Sequence, residues 1–249
     1  MQIGLIGAGN MARGLALGWG RPVVCTDVLP DRARALAEEV GGEAVASNAE
    51  VAERADLVFL CHKPAQLQAV ATEVAPRARA VASILAATPL QSVKAAYPDR
   101  PVYRVLPSTP VEVRQGAVIL AADDAQDPEL DAAVRELLAE LGTLVVLDDG
   151  LIDVAMGLMS NAPAYYALVV EAQVDAGVRH GLAPDQAARL VVQTMAGTAE
   201  LLRRQDGDTL AVRRAVTSPG GSTARGLDAL ERGGVRAAFS AALDAILQR

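Results

Sequence analysis

The sequence predicts an α/β protein in which an N-terminal Rossmann-type dinucleotide-binding domain is followed by an all-α domain. Three observations support this prediction. Short apolar strands alternate with helical patterns up to Asp149. A glycine-rich turn, residues 7–12, stands between the first strand and the first helix. No strand pattern follows Gly150, so we place the two domains at residues 1–149 and 150–249.

The strands of the first domain are apolar along their whole length, which is typical of a parallel sheet covered by helices on both faces. The first five are predicted at Ile3–Ile6, Val23–Thr26, Leu57–Cys61, Val81–Leu85 and Val102–Val105. Two more, Val118–Ala121 and Leu144–Leu147, extend the sheet. Helical patterns lie between the strands, at Met11–Trp19, Asp31–Val40, Ala65–Val74, Leu90–Tyr97 and Pro128–Leu141.

The second domain is predicted to consist of helices with very little polar surface. Residues 161–179 form one such helix, and Pro184 begins another that reaches about Arg204. A last helical stretch is interrupted at Gly233-Gly234. Because roughly a hundred residues of helix cannot bury this much apolar surface alone, we expect intertwined packing with a second copy, a homodimer. Docking on the chain's own first domain is the alternative.

Charge and composition argue against several classes of partner. The net charge of −7 disfavours nucleic acid, since phosphate binding requires clustered lysine and arginine. Cys25 and Cys61 lie in apolar runs, as unpaired cysteines of a reducing compartment do. His62 and His180 lie far apart in the sequence, so we expect no metal site. Neither a signal-peptide pattern nor an apolar run of membrane-spanning length is present, and we therefore expect no membrane association and a cytoplasmic location.

The glycine-rich turn predicts a dinucleotide cofactor. Gly7 permits the tight turn, Gly9 lets the backbone approach the pyrophosphate, and Ala12 keeps the first helix close to the sheet. Ala8, Asn10 and Met11 complete the turn, where the amides of the helix N-terminus face the phosphates. At the first strand–helix junction of an alternating pattern, this signature is specific.

Asp27, at the end of the second strand, bears on the choice between the two nicotinamide dinucleotides. An acidic residue there accepts the ribose 2′-hydroxyl of NADH and repels the 2′-phosphate of NADPH, so NADH is slightly favoured. Arg32 and Arg34 could offset that repulsion and keep NADPH open. The alternative for these arginines is an exposed helix face on which they pair with Glu38 and Glu39.

Cys61-His62-Lys63-Pro64 ends a strand at the carboxyl edge of the sheet, where ligands bind in open α/β folds. Lys63 is a candidate for contact with a cofactor ribose, the alternative being a solvated lysine. His62 is a candidate proton relay near the nicotinamide. An ordinary hydrogen-bonded loop histidine is the favoured alternative for His62.

A hydroxyl-rich turn, residues 216–223, opens directly into a helical pattern. Backbone amides at a helix start, beside the hydroxyls of Ser218, Ser222 and Thr223, make a compact receptor for a carboxylate. The alternative is that these hydroxyls merely cap the helix. From the residues alone the two interpretations are evenly balanced.

Taken together, these motifs resemble the pyrroline-5-carboxylate reductase family over essentially the whole chain. The matching segments, in order, are Ile6–Met11, His62–Pro64, Arg104–Pro110, Ala162–Tyr165, Asp175–Val178 and Thr217–Thr223 with Gly226-Leu227. The Thr217–Thr223 turn is the most specific of them. The resemblance implies a Rossmann-type domain with a helical dimerisation domain, and reduction of the C=N bond of 1-pyrroline-5-carboxylate to L-proline by NADH or NADPH. Rings of dimers are common in the family.

The resemblance also assigns roles to individual residues. The substrate carboxylate is expected to bind Ser218, Gly220, Gly221, Ser222 and Thr223, and Thr223 is the catalytic candidate because it would also hydrogen-bond the ring nitrogen. The cofactor is expected to contact Gly7, Ala8, Gly9, Asn10, Met11, Asp27, His62, Lys63, Pro64 and Ser108. A hydroxyl suits this chemistry, since it donates to or relays a proton to nitrogen without adding a formal charge.

Several positions depart from the family pattern. The family usually has Val at position 62, Gly at 88, Asn at 108 and an acidic residue at 214, where this chain has His62, Thr88, Ser108 and Arg214. Asn161 stands in a segment that is usually Gly-Ser-Gly-Pro. These changes bear on rate and substrate more than on reaction class, and a different cyclic imine stays open as substrate. A non-catalytic NAD(P)-binding regulator is the other alternative, but such a protein would not need the carboxylate receptor of Ser218–Thr223. A β-hydroxyacid dehydrogenase is disfavoured, because residues 149–249 contain no lysine to act as acid or base.

Overall fold

The computed structural model describes residues 1–124 and 127–247. The chain divides into two compact units, Met1–Asn161 and Ala162–Arg249. The predicted boundary at residues 149/150 marks the end of the last strand and stays a prediction. No helix in the described ranges is both long and apolar enough to cross a membrane.

The first unit is a doubly wound α/β fold around one eight-stranded sheet. Its strands are β1 (Ile3–Ile6), β2 (Val24–Thr26), β3 (Glu43–Ala44), β4 (Leu57–Leu60), β5 (Val81–Ser83), β6 (Val102–Pro107), β7 (Gly116–Ala121) and β8 (Gly142–Leu147). Its helices are α1 (Asn10–Trp19), α2 (Pro30–Val40), α3 (Asn48–Arg54), α4 (Leu67–Val74), α5 (Leu90–Ala96), α6 (Pro128–Ala139) and α7 (Ile152–Met159). The strand order β3-β2-β1-β4-β5-β6-β7-β8 reverses direction beside β1, so the first crevice for a ligand lies at the carboxyl ends of β1 and β4.

The predicted Rossmann-type fold is confirmed, with one correction. β7 runs antiparallel to β6, whereas a parallel sheet was predicted. The reason is the connection between them, residues 108–115, which is shorter than the roughly dozen residues that a parallel crossover needs. Three elements of this unit, β3, α3 and α7, were not predicted.

Two apolar clusters, one on each face of the sheet, form the core of the first unit. In the first, Trp19 of α1 packs at a ring-centroid distance of 5.0 Å against Phe59 of β4. The Trp19 indole also donates to the carbonyl of Leu137, at 3.0 Å, so burial leaves no polar atom of that ring without a partner. The core therefore fixes α1, and with it the glycine-rich turn, on the sheet.

The second unit contains only helices within its described residues. They are α8 (Ala162–Arg179), α9 (Pro184–Arg204), α10 (Thr209–Ala215), α11 (Ser222–Arg232) and α12 (Val235–Leu247). α8 and α9 form an antiparallel pair whose connecting turn is compact, because Gly177 leaves room for Leu182 and Ala187. The predicted long helices are confirmed, and α10 was not predicted.

Candidate active site

The glycine-rich turn has the backbone that a phosphate cradle requires. Gly7 has φ +101°, which favours glycine, and a Cβ there would lie 2.7 Å from the carbonyl oxygen of Cys61. Both the backbone conformation and the space available therefore require glycine at this position. Gly9 is the N-cap of α1, and a Cβ at Gly9 would meet no protein atom within 4 Å, so its face is open to a ligand. The first helical bond runs from Arg13 to Gly9. Within the described structure the amides of residues 10–12 have no partner and remain available to an anion.

Asp27 closes the crevice beside this turn. One carboxylate oxygen accepts from the Ala8 amide at 2.7 Å and the other from the Leu29 amide at 2.8 Å. These two bonds fix the carboxylate between β1 and α2. Each oxygen keeps a second lone pair, so Asp27 can still accept a ribose hydroxyl.

The arginines of α2 do not pair as the alternative interpretation expected. Arg34 pairs with Asp31, and Glu39 accepts from the Nε of Arg13 of α1 at 2.7 Å. Pairing of Arg32 and Arg34 with Glu38 and Glu39 is therefore wrong, because the end of α2 faces α1. Arg32 makes no ion pair with any residue of the described ranges, and it lines the same cleft as Asp27.

His62, Lys63 and Pro64 line or adjoin that cleft, whose volume is about 480 Å³. The His62 Nδ1 lies 2.9 Å from the Lys63 carbonyl oxygen and must donate to it, since a carbonyl has no proton. The buried Nε2 has no partner in the part of the chain that is described. Burial lowers the pKa of His62, which favours the neutral ring. Lys63 is exposed, and Pro64 begins a short 3-10 turn that leads into α4.

Ser108 lies in the β6–β7 connection and is almost fully buried. Its amide donates to the Ala117 carbonyl, and its hydroxyl accepts from the Ala117 amide, both at 2.9 Å. Ser108 is not one of the residues that line the cleft around Asp27. A contact between Ser108 and the cofactor stays a prediction.

A buried ion pair at the same edge of the sheet was not predicted. Arg104 of β6 donates from Nη1 to the Asp149 carboxylate at 2.6 Å, and the other oxygen of Asp149 accepts from the Leu90 amide at 3.1 Å. The Arg104 side chain is only 7% exposed. The one signal in the sequence was an arginine inside an otherwise apolar strand, and its partner lies 45 residues further along. This pair joins β6, α5 and the segment that precedes α7.

The loop that connects β5 to α5 carries backbone strain. Ala87 has φ +52°, a conformation that costs an alanine about 1 kcal/mol or more. The neighbouring Thr88 is buried, and its hydroxyl donates to the Ala86 carbonyl at 3.1 Å. The position in this loop that favours glycine is therefore 87, and Thr88 itself has no positive φ.

In the second unit, the hydroxyl-rich turn precedes α11 as predicted. Gly221 is the N-cap, and no side chain caps this helix. The interpretation that the hydroxyls cap α11 is therefore wrong. The hydroxyls of Ser218, Ser222 and Thr223 make no hydrogen bond within residues 1–124 and 127–247.

The backbone amides at the start of α11 are free. The amides of residues 222–224 have no hydrogen-bond acceptor among the described residues. Gly220 has φ +68°, and a Cβ on Gly221 would lie well inside contact distance of the Ser218 Oγ. The turn thus gathers free amides and free hydroxyls in one place, and such a set of donors suits a carboxylate or another oxygen anion. No group of metal-ligating side chains was found in the described ranges.

Comparisons with known proteins identify relatives across the whole chain. Residues 149–249 match the family model for pyrroline-5-carboxylate reductase dimerisation, and residues 2–87 match the model for NADP oxidoreductase, coenzyme F420-dependent. The pyrroline-5-carboxylate reductase of Pseudomonas aeruginosa is 34% identical over 259 residues, which cover 100% of this chain and 95% of that protein. The enzyme of that name from Thermus thermophilus is 34% identical over 258 residues, covering 100% and 97%. A solved structure of the Coxiella burnetii pyrroline-5-carboxylate reductase has a TM-score of 0.88 at 28% identity, covering 100% of this chain and 96% of that one.

Proposed function

The chain belongs to the pyrroline-5-carboxylate reductase family, and we propose that it reduces 1-pyrroline-5-carboxylate to L-proline with the residues of the two turns described above. The reaction adds a hydride to the imine carbon and a proton to the ring nitrogen. The nicotinamide cofactor, NADH or NADPH, supplies the hydride. The chain's own residues hold the two reactants, direct the proton and need no covalent nucleophile.

The observation that carries the proposal is the set of free donors before α11. The substrate is a carboxylate, and the amides of residues 222–224 together with the hydroxyls of Ser218 and Ser222 are donors without acceptors. An anion at that position also meets the positive end of an eleven-residue helix. We assign the substrate carboxylate to this turn, with Gly220 and Gly221 shaping it.

Thr223 is assigned to the ring nitrogen. The residue is half-buried, and its hydroxyl has no competing partner among the described residues. A donor at nitrogen prevents negative charge from building there as the hydride reaches carbon. The hydroxyl either donates directly or passes on a proton from water. Thr223 is thus the one residue of the turn that we place in contact with a reacting atom.

The cofactor is assigned to the turn at Gly7–Ala12 and to Asp27. The free amides of residues 10–12 fit a pyrophosphate, and the open face of Gly9 allows close approach. We propose NADH as the better cofactor, because the fixed carboxylate of Asp27 repels a 2′-phosphate. Arg32, which has no ion pair in the described structure, allows some use of NADPH.

Assembly and location complete the proposal. We propose a homodimer formed by the helical unit, since its match to a dimerisation family agrees with the apolar side chains that this unit leaves exposed. Rings of such dimers are a further possibility that light scattering decides. The cytoplasm fits the two free cysteines, both in apolar surroundings.

A steady-state assay of the purified protein tests the reaction. We expect 1-pyrroline-5-carboxylate to oxidise both cofactors, NADH with the higher kcat/KM. Thr223→Ala should lower kcat by about a hundredfold or more, as loss of a general acid does, while the affinity for NADH stays within about twofold. Thr223→Ser, which keeps the hydroxyl, is the matched control and should retain most activity. Absence of cofactor oxidation in the wild type, or full turnover by Thr223→Ala, would overturn the proposal.

A further inference from the structure

Arg225, in the first turn of α11, makes a contact that the reaction alone does not explain. Its Nη1 donates to the carbonyl oxygen of Gly220 at 2.8 Å, back across the start of the helix. Helical side chains lean towards the N-terminus of their helix, so residue 225 is well placed to reach that turn. Residue 225 is not part of the substrate set named above.

Three of the four carbonyl groups of residues 218–221 accept a hydrogen bond, and Arg225 supplies two of these bonds. Its guanidinium occupies the Gly220 carbonyl, and its amide donates to the Gly221 carbonyl at 3.2 Å. The third carbonyl, that of Ser218, accepts from the Gly221 amide at 3.0 Å. The Pro219 carbonyl accepts no hydrogen bond from the described residues. The carbonyls of Gly220 and Gly221, which directly precede the free amides of residues 222–224, are both engaged by Arg225.

Arg225 also differs from the two arginines that follow it in the chain. Arg232 of the same helix pairs with Asp228 at 2.8 Å, and Arg236 pairs with Glu231 at 2.8 Å. Arg225 forms no ion pair in the described part of the chain, and its side chain is exposed. Its positive charge is therefore not cancelled locally, and it stands within one helical turn of the free amides.

We propose that Arg225 is a positioning residue for substrate binding: it keeps the Gly220 carbonyl away from the incoming carboxylate and adds positive charge beside the amides. The proposal rests on the function proposed above, since it concerns the same turn. A lone carbonyl oxygen turned towards the carboxylate would repel it, and Gly220, with its positive φ, is the position whose peptide can most easily turn.

Three variants test this role: Arg225→Ala, Arg225→Lys and the matched control Arg232→Ala on the same helix. For Arg225→Ala we expect the KM for 1-pyrroline-5-carboxylate to rise about tenfold, the loss of one charge-assisted hydrogen bond. The kcat and the KM for NADH should stay within about twofold. Arg225→Lys, which keeps a donor and the charge, should recover most of the loss, and Arg232→Ala should match the wild type.

A binding measurement without turnover separates positioning from folding. Calorimetric titration of the protein with L-proline, the product carboxylate, should show the same weakening in Arg225→Ala, with an unchanged melting temperature. A wild-type KM in Arg225→Ala, or an equal rise in the KM values for both substrates, overturns the inference. If the wild type itself reduces no pyrroline-5-carboxylate, the proposed function fails instead, so the two failures are distinguishable.

Discussion

The two units of the molecule differ in where their apolar side chains lie. In the first, large side chains such as Trp19, Leu57 and Phe59 are fully or almost fully buried, and two clusters cover both faces of the sheet. Among the described residues of the second, the buried apolar ones are two alanines, Ala162 and Ala187. Its large apolar side chains are half-buried or exposed in the described residues, and the exposed ones include Tyr166, Leu168, Leu190, Val192, Leu201, Leu210, Leu230 and Phe239.

This difference shows that the two units acquire stability from different sources. The first unit has a core of its own, as a domain of its size requires. Residues 162–247 of the helical unit form no such core, so burial of their apolar surface has to come from outside the unit. In a dimerisation family, a second copy is the natural source. The site that we propose is divided in the same way, with the cofactor assigned to the first unit and the substrate carboxylate to the helical unit.

The largest expected effect comes from placing a charge on the exposed face of α9. Leu190 is 60% exposed, and Leu190→Asp should abolish the dimer and lower the melting temperature. Burial of a leucine contributes about 1.5–3 kcal/mol to stability, and a homodimer of the variant loses one such leucine from each copy. Burial of the two aspartates adds a further cost. Size-exclusion chromatography with light scattering measures the assembly.

The matched control for this change is Val113→Asp in the first unit, where the valine is 68% exposed. A valine that is exposed on a self-sufficient unit should accept a charge with no change in mass or melting temperature. If Leu190→Asp stays dimeric, the face of α9 is not the contact, and the contrast between the units does not reflect assembly.

The sequence predicts most of the fold because its signals are local. Continuous apolar strands and the glycine-rich turn need no knowledge of distant partners, and the strands from β1 to β8 are found within a few residues of their predicted places, apart from β3. The two residues of β3 and the helix α3 were missed, since elements this short have no clear period. The direction of β7 depends on the length of its connection and not on its own residues.

The candidate site is predicted less completely because its geometry depends on distant contacts. The turns at Gly7 and Gly221 are readable from glycine and hydroxyl patterns. The pairing of Arg104 with Asp149, and of Arg13 with Glu39, joins residues far apart in the chain. The bond from Arg225 to Gly220 is local, yet an exposed arginine in a helix is so common that its pattern carries no signal.

Adding one methyl group inside the self-sufficient unit should have the next largest effect. A Cβ on Gly18 of α1 would overlap the Val111 carbonyl oxygen and the Leu141 side chain, so Gly18→Ala should destabilise the protein by about 3 kcal/mol. On the same helix, a Cβ on Gly14 would have its nearest neighbour at 3.7 Å, an ordinary contact. Gly14→Ala should therefore be neutral or stabilise by up to about 1 kcal/mol. Urea denaturation measures both, and equal effects would show that the first unit is not closely packed there.

The same change in the helical unit should affect substrate binding more than stability. Gly221→Ala forces the Ser218 hydroxyl to move, so we expect kcat/KM for 1-pyrroline-5-carboxylate to fall about thirtyfold, equivalent to roughly 2 kcal/mol. Binding of NADH should be unchanged, since Gly221 has no role in the cofactor turn. The control is Gly226→Ala on α11, where a Cβ would meet no atom within 4 Å. Loss of NADH affinity in Gly221→Ala would contradict the division of roles between the units.

The smallest effect concerns His62, which lies at the cleft of the first unit. Burial lowers the pKa of His62 in the first unit, so the folded state resists protonation more than the unfolded state does. The contribution of the neutral His62 ring to the free energy of unfolding is therefore full above the pKa of about 6.5 in the unfolded chain. It is lost as the pH falls below that value towards the lowered pKa of the folded state. Changing His62 to Val removes both the titration and the unpartnered Nε2.

As the pH falls from about 7.5 to about 5, the free energy of unfolding of His62→Val should therefore rise relative to that of the wild type. Urea denaturation at each pH measures the difference. A parallel pH profile for His62→Val and the wild type would mean that solvent reaches the His62 ring as freely in the folded protein as in the unfolded chain. The cleft around His62 would then be open to solvent. The difference in burial between the two units would hold for their interiors but not for this edge of the sheet.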